Sequence, residues 1–464
     1  MSASASVADV IGPVLRDLTR RSPADLRRWI DQVTNLRGCR DPVRLAGESM
    51  TVDAATGEVL SHYSTAREPH GHLMVRCKNR RASRCPACSK EYRADTYHLI
   101  KAGMSGGDKG VPGSIAAHPR VLVTLTAPSF GAVHRGPGKN GRLQVCHPRR
   151  NGPACWMRHA ADDPLIGQPL EPDAYDYAGH VVWNAHAGAL WRRFTTYLRR
   201  HLAAAAGMTQ RAFNEVVKVS FAKVAEYQAR GLVHFHAVIR LDGRSEDPDA
   251  WPPPPAWATV GLLCAAVRSA AAAVRLEVPV PSLGRTFRLR FGAQVDARPI
   301  GAFGDGSQLT DQAVAGYIAK YATKAAENTG TLDRRVSQTD LPRLEQQGVT
   351  AHAARLIRTC WQLGDISAHP ELAAAKLRKW AHMLGFRGHF ATKSRRYSTT
   401  LGHLRRVRAD YVRRLLGRPD PEEDTVLVLA HWRFAGQGFT AGEAALAEVL
   451  SSHPPGRKET AHGR

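Results

Sequence analysis

The segment GLVHFHAVIRLDG (231–243) places His234 and His236 one residue apart in an otherwise apolar run. Side chains alternate across a strand, so His234, His236, Val238 and Arg240 share one face, and Phe235, Ala237, Ile239 and Leu241 share the other. A strand that only fills a core has no use for two imidazoles on one side. The preceding run, VVKVSFAKVAEYQ (216–228), is also strand-like and connects through Ala229-Arg230-Gly231, so the two read as a hairpin. Pairing brings Glu226 and Gln228 across the ladder from the histidines. Two imidazoles and one or two oxygen donors then converge on a small space. That is the donor set of a divalent-cation site with open coordination positions. Mixed nitrogen and oxygen donors suit Mn²⁺ and tolerate Mg²⁺, whereas a structural zinc prefers four closed ligands. The competing reading is a pair of satisfied surface histidines on an edge strand.

Working outward, RVLVTLTAP (120–128) alternates as a strand and stops at Pro128. Residues 131–170 read as loop, and 176–207 as a long helix with Trp183, Trp191 and Phe194 on its apolar side. An apolar helix around 257–276 and a strand RTFRLRFGAQV (285–295) complete a β-α-β-β-α-β order. The fold class is therefore α+β, with a ferredoxin-like antiparallel sheet. The next helix, DQAVAGYIAKYATKAAE (311–327), sets Tyr317 and Tyr321 four apart on one face. Lys320 and Lys324 follow them by three. Aromatic pairs at this spacing usually pack in a core, but the lysines argue against full burial. A phenol is a poor nucleophile at its ordinary pKa of about 10, and nearby cations favour the phenolate.

Composition narrows the class of partner. Of 464 residues, 65 are Lys or Arg and 41 Asp or Glu, a net charge of +24 with a pI near 10.2. A polyanion is the simplest reason for that excess, and small-metabolite enzymes rarely carry it. No apolar run approaches the roughly 20 residues a bilayer span needs, and the N-terminus lacks a basic region leading into an apolar one. The expectation is a soluble, cytoplasmic protein with no membrane partner. Eight cysteines are too few for a disulfide scaffold and read better as ligands or core residues. Cys85-Pro-Ala-Cys88 forms a knuckle with Cys77 and Cys39 upstream, a set suited to structural Zn²⁺, with His70 or His72 as competing fourth ligands. From Arg387 to Arg418 there are ten Lys or Arg against one acid, Asp410. There LRRVRADYVRRLL puts Val407, Tyr411 and Leu415 on one stripe, suited to packing on the preceding domain with arginines facing a polyanion. Lys393, Arg395, Arg396, Arg405 and Arg406 are the candidate DNA contacts. No phosphate-binding Gly-x-x-x-x-Gly-Lys-Ser/Thr loop is present.

Three segments together, TLTAP (124–128), EYQARGLVHFH (226–236) and YIAKYATK (317–324), resemble the motifs of HUH endonucleases, in the two-tyrosine branch. CPACS (85–89), YDYAGHVVWNAHAGALW (175–191) and GFRGHFATKSRRYSTTL (385–401) further resemble the rolling-circle replication initiators of actinomycete plasmids. The resemblance implies four regions. These are an N-terminal helical segment (1–36), a four-cysteine zinc module (37–106), an HUH endonuclease domain (107–386) and a basic helical region (387–464); independently of the resemblance, the Gly/Pro-rich composition of 103–119 reads as a connector at a domain boundary. It implies a metal-dependent, site-specific single-strand DNA endonuclease and strand transferase. In that reading His234 and His236, with Glu226 or Gln228, hold Mn²⁺ or Mg²⁺. Tyr321 attacks the origin strand to form a 5′-phosphotyrosine, Tyr317 is the candidate for a second cut, and Lys320 and Lys324 hold phosphate. The implied partners are plasmid origin DNA, single-stranded or extruded and duplex, and the host helicase and replication machinery. A two-tyrosine transposase, or a catalytically dead zinc-dependent DNA-binding regulator, fits the same motifs. Cys146 and Cys155 with His147 or His159 raise a second cluster. Relatives carry a Cys-x-x-Cys where this chain has Glu171-Pro-Asp-Ala174, so no second zinc is expected.

Overall fold

The computed structural model describes residues 22–107, 110–138, 140–247, 250–301, 310–323, 330–415 and 426–452. It divides into two compact units, one formed by 96–401 and the other by 1–95 with 402–464.

The larger unit is built on β4 (Arg120–Leu125), β5 (Val217–Tyr227), β6 (Val233–Gly243), β9 (Val295–Pro299) and β10 (Ala391–Lys393). They form one antiparallel sheet in the order β10-β5-β6-β4-β9. Helices α3 (Tyr177–Ala205) and α5 (Val260–Ala273) join the strands in a β-α-β-β-α-β sequence. Phe235, Ala237, Ile239 and Leu241 are buried in one core with Trp183, Trp191 and Phe194 of α3 and Leu263 and Val267 of α5. Burial at this scale supplies about 1.5–3 kcal/mol per large side chain and fixes the register of β6. The opposite face carries a buried polar cluster. Arg240 is fully buried, yet Asp242 takes its guanidinium at 2.6 and 3.0 Å, and Ser220 and His118 donate to the same carboxylate. A buried charge is tolerated when its hydrogen-bonding capacity is filled this way.

The closing strand differs from the sequence reading. Residues 285–289 form β8, which pairs with β7 (Leu276–Val280) in a separate hairpin. β9, beginning at Val295, takes the edge position beside β4. Between them the chain passes close behind β4, where Gly292 N donates to Thr126 O and a Cβ on Gly292 would meet Ala127 O at 2.8 Å. Alternation in 285–295 identified strand but not its partner. The Gly/Pro-rich stretch 103–119 lies inside this unit, not at a boundary. Ile115 is fully buried there, and Arg120 donates to the carbonyls of Met104 and Ala116.

The smaller unit draws on both chain ends. It contains α1 (Pro23–Asn35), β1 (Val43–Asp53), β2 (Val59–Ser64), β3 (Leu73–Val75), the start of α2 (Pro86–Ser105), most of α8 (Leu401–Leu415), β11 (Val426–Gln437) and α9 (Ala441–Ser452). β1 pairs along its whole length with β11, so the terminal regions read separately from sequence form one body. α1 starts at a Ser22 N-cap with Pro23 in its first turn and buries Trp29 and Val33.

Candidate active site and metal centres

The β5–β6 hairpin aims three donors at one point. Glu226 lies directly across the ladder from His234, and Val224 across from His236. Glu226 Oε2 is 2.9 Å from His234 Nε2 and 3.2 Å from His236 Nε2. Neighbouring ligands at 2.0–2.1 Å around an octahedral ion sit about 2.9 Å apart, so one carboxylate and two imidazoles at this spacing fit a hard divalent cation. His236 Nδ1 is tied to Thr124 Oγ1 at 3.0 Å, which fixes its ring and keeps Nε2 toward the cleft. Gln228 lines the same cleft, where its Oε1 accepts two hydrogen bonds from Arg230 at 2.9 and 3.0 Å.

The hairpin turn is held from behind by the YDYAGH segment. Asn184 Nδ2 donates to Gly231 O and Leu384 O, each at 2.9 Å, and its Oδ1 accepts from Val233 N. His180 and His352 are buried and neutral. His180 bonds Gly231 O and Tyr175, and His352 bonds Arg230 O and Tyr177. Burial pushes the pKa of His180 well below its ordinary value and that of His352 down to about 4. Gly231 has φ +82°, and a Cβ there would come within 2.7 Å of Leu384, so the turn requires glycine.

Helix α6 (Asp311–Ala322) carries both tyrosines to this centre. Its inner face buries Val314, Ala315, Ile318 and Ala319, while Tyr317 stays 38% exposed. The Tyr317 hydroxyl is 3.5 Å from His236 Nε2. Tyr321 stacks on the His236 ring at 5.1 Å between centroids, and the two phenol rings are 4.6 Å apart. Burial, then the Tyr321 and Glu226 neighbours, push the Tyr317 pKa above its ordinary value. Lys320 Nζ lies 5.8 Å from the Tyr321 centroid. Lys324 lies outside the described residues. Leu122, Thr126, Asp296 and Arg298 line the same cleft, which encloses about 510 Å³.

A second donor set lies in the smaller unit. Cys39, Cys77, Cys85 and Cys88 bring their sulfurs within 4.8 Å of one another. None is in a disulfide, and three are buried. Burial pushes Cys39 up to about 11 and Cys77 higher still. At Cys85 burial opposes the thiolate, but hydrogen bonds from Cys88 and Arg40 outweigh it and hold the pKa low. Four thiols as the whole donor set fit a closed tetrahedral zinc. His70 and His72 stand apart from the sulfurs, facing Glu443 at 4.0 and 3.8 Å.

The family profile described as "Replication initiator protein, pSAM2" (RepSA) matches residues 25–452. This chain belongs to that replication initiator family. A curated replication initiator protein of Streptomyces ambofaciens is 51% identical over 457 residues, covering 96% of this chain and 95% of its own. No solved structure matches.

In this initiator the five basic residues singled out from sequence divide between the two units. Lys393 Nζ donates to the carbonyls of Arg395 and Ser398, and burial lowers its pKa. Arg396 donates to Ala250 O and lies over the Trp251 ring. Arg395 is exposed. In the smaller unit Arg405 faces Asp95 at 3.8 Å, and Arg406 is exposed. The Val407/Tyr411 stripe expected to pack is 40% and 60% exposed, and the helix instead buries Leu404 and pairs Arg408 with Glu91 and Asp95. Arg298, which lines the cleft and pairs with Asp296 at 2.8 Å, lies beyond 295, where the strand reading stops. Among the described residues no helix is long and apolar enough to cross a membrane.

Proposed function

We propose that this initiator nicks and rejoins one strand at a plasmid double-strand origin through a 5′-phosphotyrosyl intermediate, starting rolling-circle replication. The observation that carries this reading is that two phenols on one helix face rest against His236, one of the two histidines that converge on the Glu226 carboxylate. A cation held by Glu226, His234 and His236 would polarise the scissile phosphate. The residues of the chain supply the remainder. The single strand would enter the cleft lined by residues of β4, β9 and α6, where Arg298, paired with Asp296 at 2.8 Å, would offer a phosphate contact.

Tyr321 Oη attacks phosphorus and gives up its phenolic proton to solvent. The P–O3′ bond breaks, and the 3′-oxygen takes a proton to become the primer hydroxyl. Lys320 Nζ lies beside the Tyr321 ring, and burial with the Tyr321 and Glu226 neighbours makes Tyr317 the harder phenol to deprotonate, so the first cut is assigned to Tyr321. Tyr317 then serves the second cut, and a 3′-hydroxyl attacking the phosphotyrosine restores the diester without ATP. The four-cysteine cluster holds zinc and stabilises the smaller unit. Strand separation comes from a partner helicase.

The test uses the full chain with a single-stranded origin oligonucleotide and Mn²⁺, followed by a denaturing gel and peptide mapping. A DNA adduct on Tyr321, lost in Tyr321→Phe, is expected, with Tyr317→Phe forming the first adduct but failing at the second cut. No DNA-linked species, or one that persists in the double variant, overturns the reading.

A further inference from the structure

The loop between β4 and α3 contains a third donor cluster, formed by His134, Cys146, Cys155 and His159. We propose that this is a second structural zinc site, with two thiolate and two imidazole ligands, built from residues of this loop alone.

The donor separations match the edges of a tetrahedral zinc site. All four donor atoms lie within 4.8 Å of one another. His134 Nδ1 is 3.1 Å from His159 Nε2, Cys155 Sγ is 3.5 Å from His159 Nε2, and Cys146 Sγ is 3.9 Å from His134 Nδ1. With Zn–N near 2.0–2.1 Å and Zn–S near 2.3 Å, tetrahedral edges come to about 3.4 Å for N···N and about 3.6 Å for N···S. The observed separations fall within a few tenths of an ångström of those edges. Two thiolates with two imidazoles select zinc over the harder ions suited to the Glu226 cluster.

The surroundings are arranged for ligation. His159 Nδ1 is 2.7 Å from Asp163 Oδ2, so that nitrogen donates and Nε2 keeps its lone pair for the cluster. The other Asp163 oxygen accepts from Leu165 N at 2.8 Å, which fixes the carboxylate. Arg135 N points at Cys146 Sγ at 3.2 Å, a backbone donor that favours thiolate. Cys146 and Cys155 are brought together by a short ladder in which His147 and Cys155 exchange backbone hydrogen bonds at 2.7 and 2.9 Å. His147 Nδ1 touches Cys146 Sγ at 3.2 Å but is not one of the four converging donors. Glu171 and Ala174 play no part.

The ion has a definite task. Among the described residues of 131–170 no helix or strand forms beyond isolated bridges at Val133–Pro169 and His147–Cys155, so few backbone ladders stabilise this loop. Its base nevertheless sits against the hairpin turn of the candidate active site, where a Cβ on Gly167 (φ +87°) would meet Ala229 C at 2.4 Å. A zinc tying positions 134, 146, 155 and 159 supplies the cross-links that composition does not.

The experiment measures metal, not cleavage, so its outcome is independent of the nicking reading. Purified full chain, dialysed against a mild chelator, is analysed for zinc by mass spectrometry. Two zincs per chain are expected, falling to one in Cys146→Ser/Cys155→Ser and to one in Cys85→Ser/Cys88→Ser. A variant-free arm follows alkylation of Cys146 and Cys155 by peptide mapping, with protection expected until a strong chelator is added. Asp163→Asn, which keeps all four ligands, should weaken zinc retention about 10–100-fold. Wild-type protein with a single zinc, held by the four-cysteine set, or alkylation at the same rate with and without chelator, overturns the proposal.

Discussion

The four-cysteine cluster and the Glu226–His234–His236 cluster both gather donors around one point, but they finish the job differently. The four cysteines supply four donors within 4.8 Å of one another, and three of them are buried. The carboxylate and two imidazoles supply three donors on one sheet face, and the open side is a cleft of about 510 Å³ reached by the exposed edge of Tyr317. A closed donor set stabilises a fold, whereas an incomplete one leaves room for a phosphate. The ligand types agree with that division, sulfur in the first and oxygen with nitrogen in the second.

Removing the donors separates the two roles. His234→Ala/His236→Ala should lower adduct formation by about a thousandfold or more, the equivalent of several kcal/mol of lost phosphate stabilisation, with zinc content and circular dichroism unchanged. Cys85→Ser/Cys88→Ser should do the reverse. One zinc is lost and thermal unfolding of the smaller unit drops by about 10 °C or more, at roughly 2–4 °C per kcal/mol. Cleavage of a short single strand by that variant should stay within about tenfold of wild type, since its donors come from the other unit. Equal damage to both readouts in either variant would dissolve the contrast.

Both clusters were legible in the sequence, but what supports them was not. The histidine pair showed in sequence because β6 alternates strictly and its apolar face is unambiguous, so the imidazoles had only one side to occupy. The tyrosines showed because helical spacing fixes a common face. What holds the hairpin in place did not show. Asn184 reaches Gly231 across 47 positions and His352 reaches Arg230 across 122, and no local pattern marks such pairings. The smaller unit was hidden for the same reason. Arg44 and Gln437 are 393 positions apart, yet their strands pair along their length. The strand at 285–289 was recognised as strand but given to the wrong sheet, because alternation encodes faces and not partners.

The support behind the open site has its own signature in acid. His352 is neutral in the folded chain, with a pKa held at about 4 by burial, against about 6.5 unfolded. The unfolded chain therefore takes up a proton first, and stability is lost as pH falls from about 6.5 towards about 4. The contribution is about 3 kcal/mol, measurable by urea denaturation at pH 7 and pH 4. His352→Gln should shrink the pH difference by about that amount without abolishing it, because His180 behaves in the same sense. An undiminished difference would move the acid sensitivity elsewhere. The smallest expected effect is in the cleft. Arg298→Ala should weaken single-strand binding a few-fold, equally for all sequences, and reduce the salt slope by about 0.7.

The central claim is that the cation site and the tyrosines share one centre, and pulsed electron paramagnetic resonance of Mn²⁺ in zinc-replete protein tests it directly. The account predicts coupling to two histidine nitrogens, absent in His234→Ala/His236→Ala, and an added phosphorus coupling once origin DNA is covalently attached. A Mn²⁺ signal without histidine nitrogen, or histidine-bound Mn²⁺ that gains no phosphorus coupling in the adduct, would contradict it.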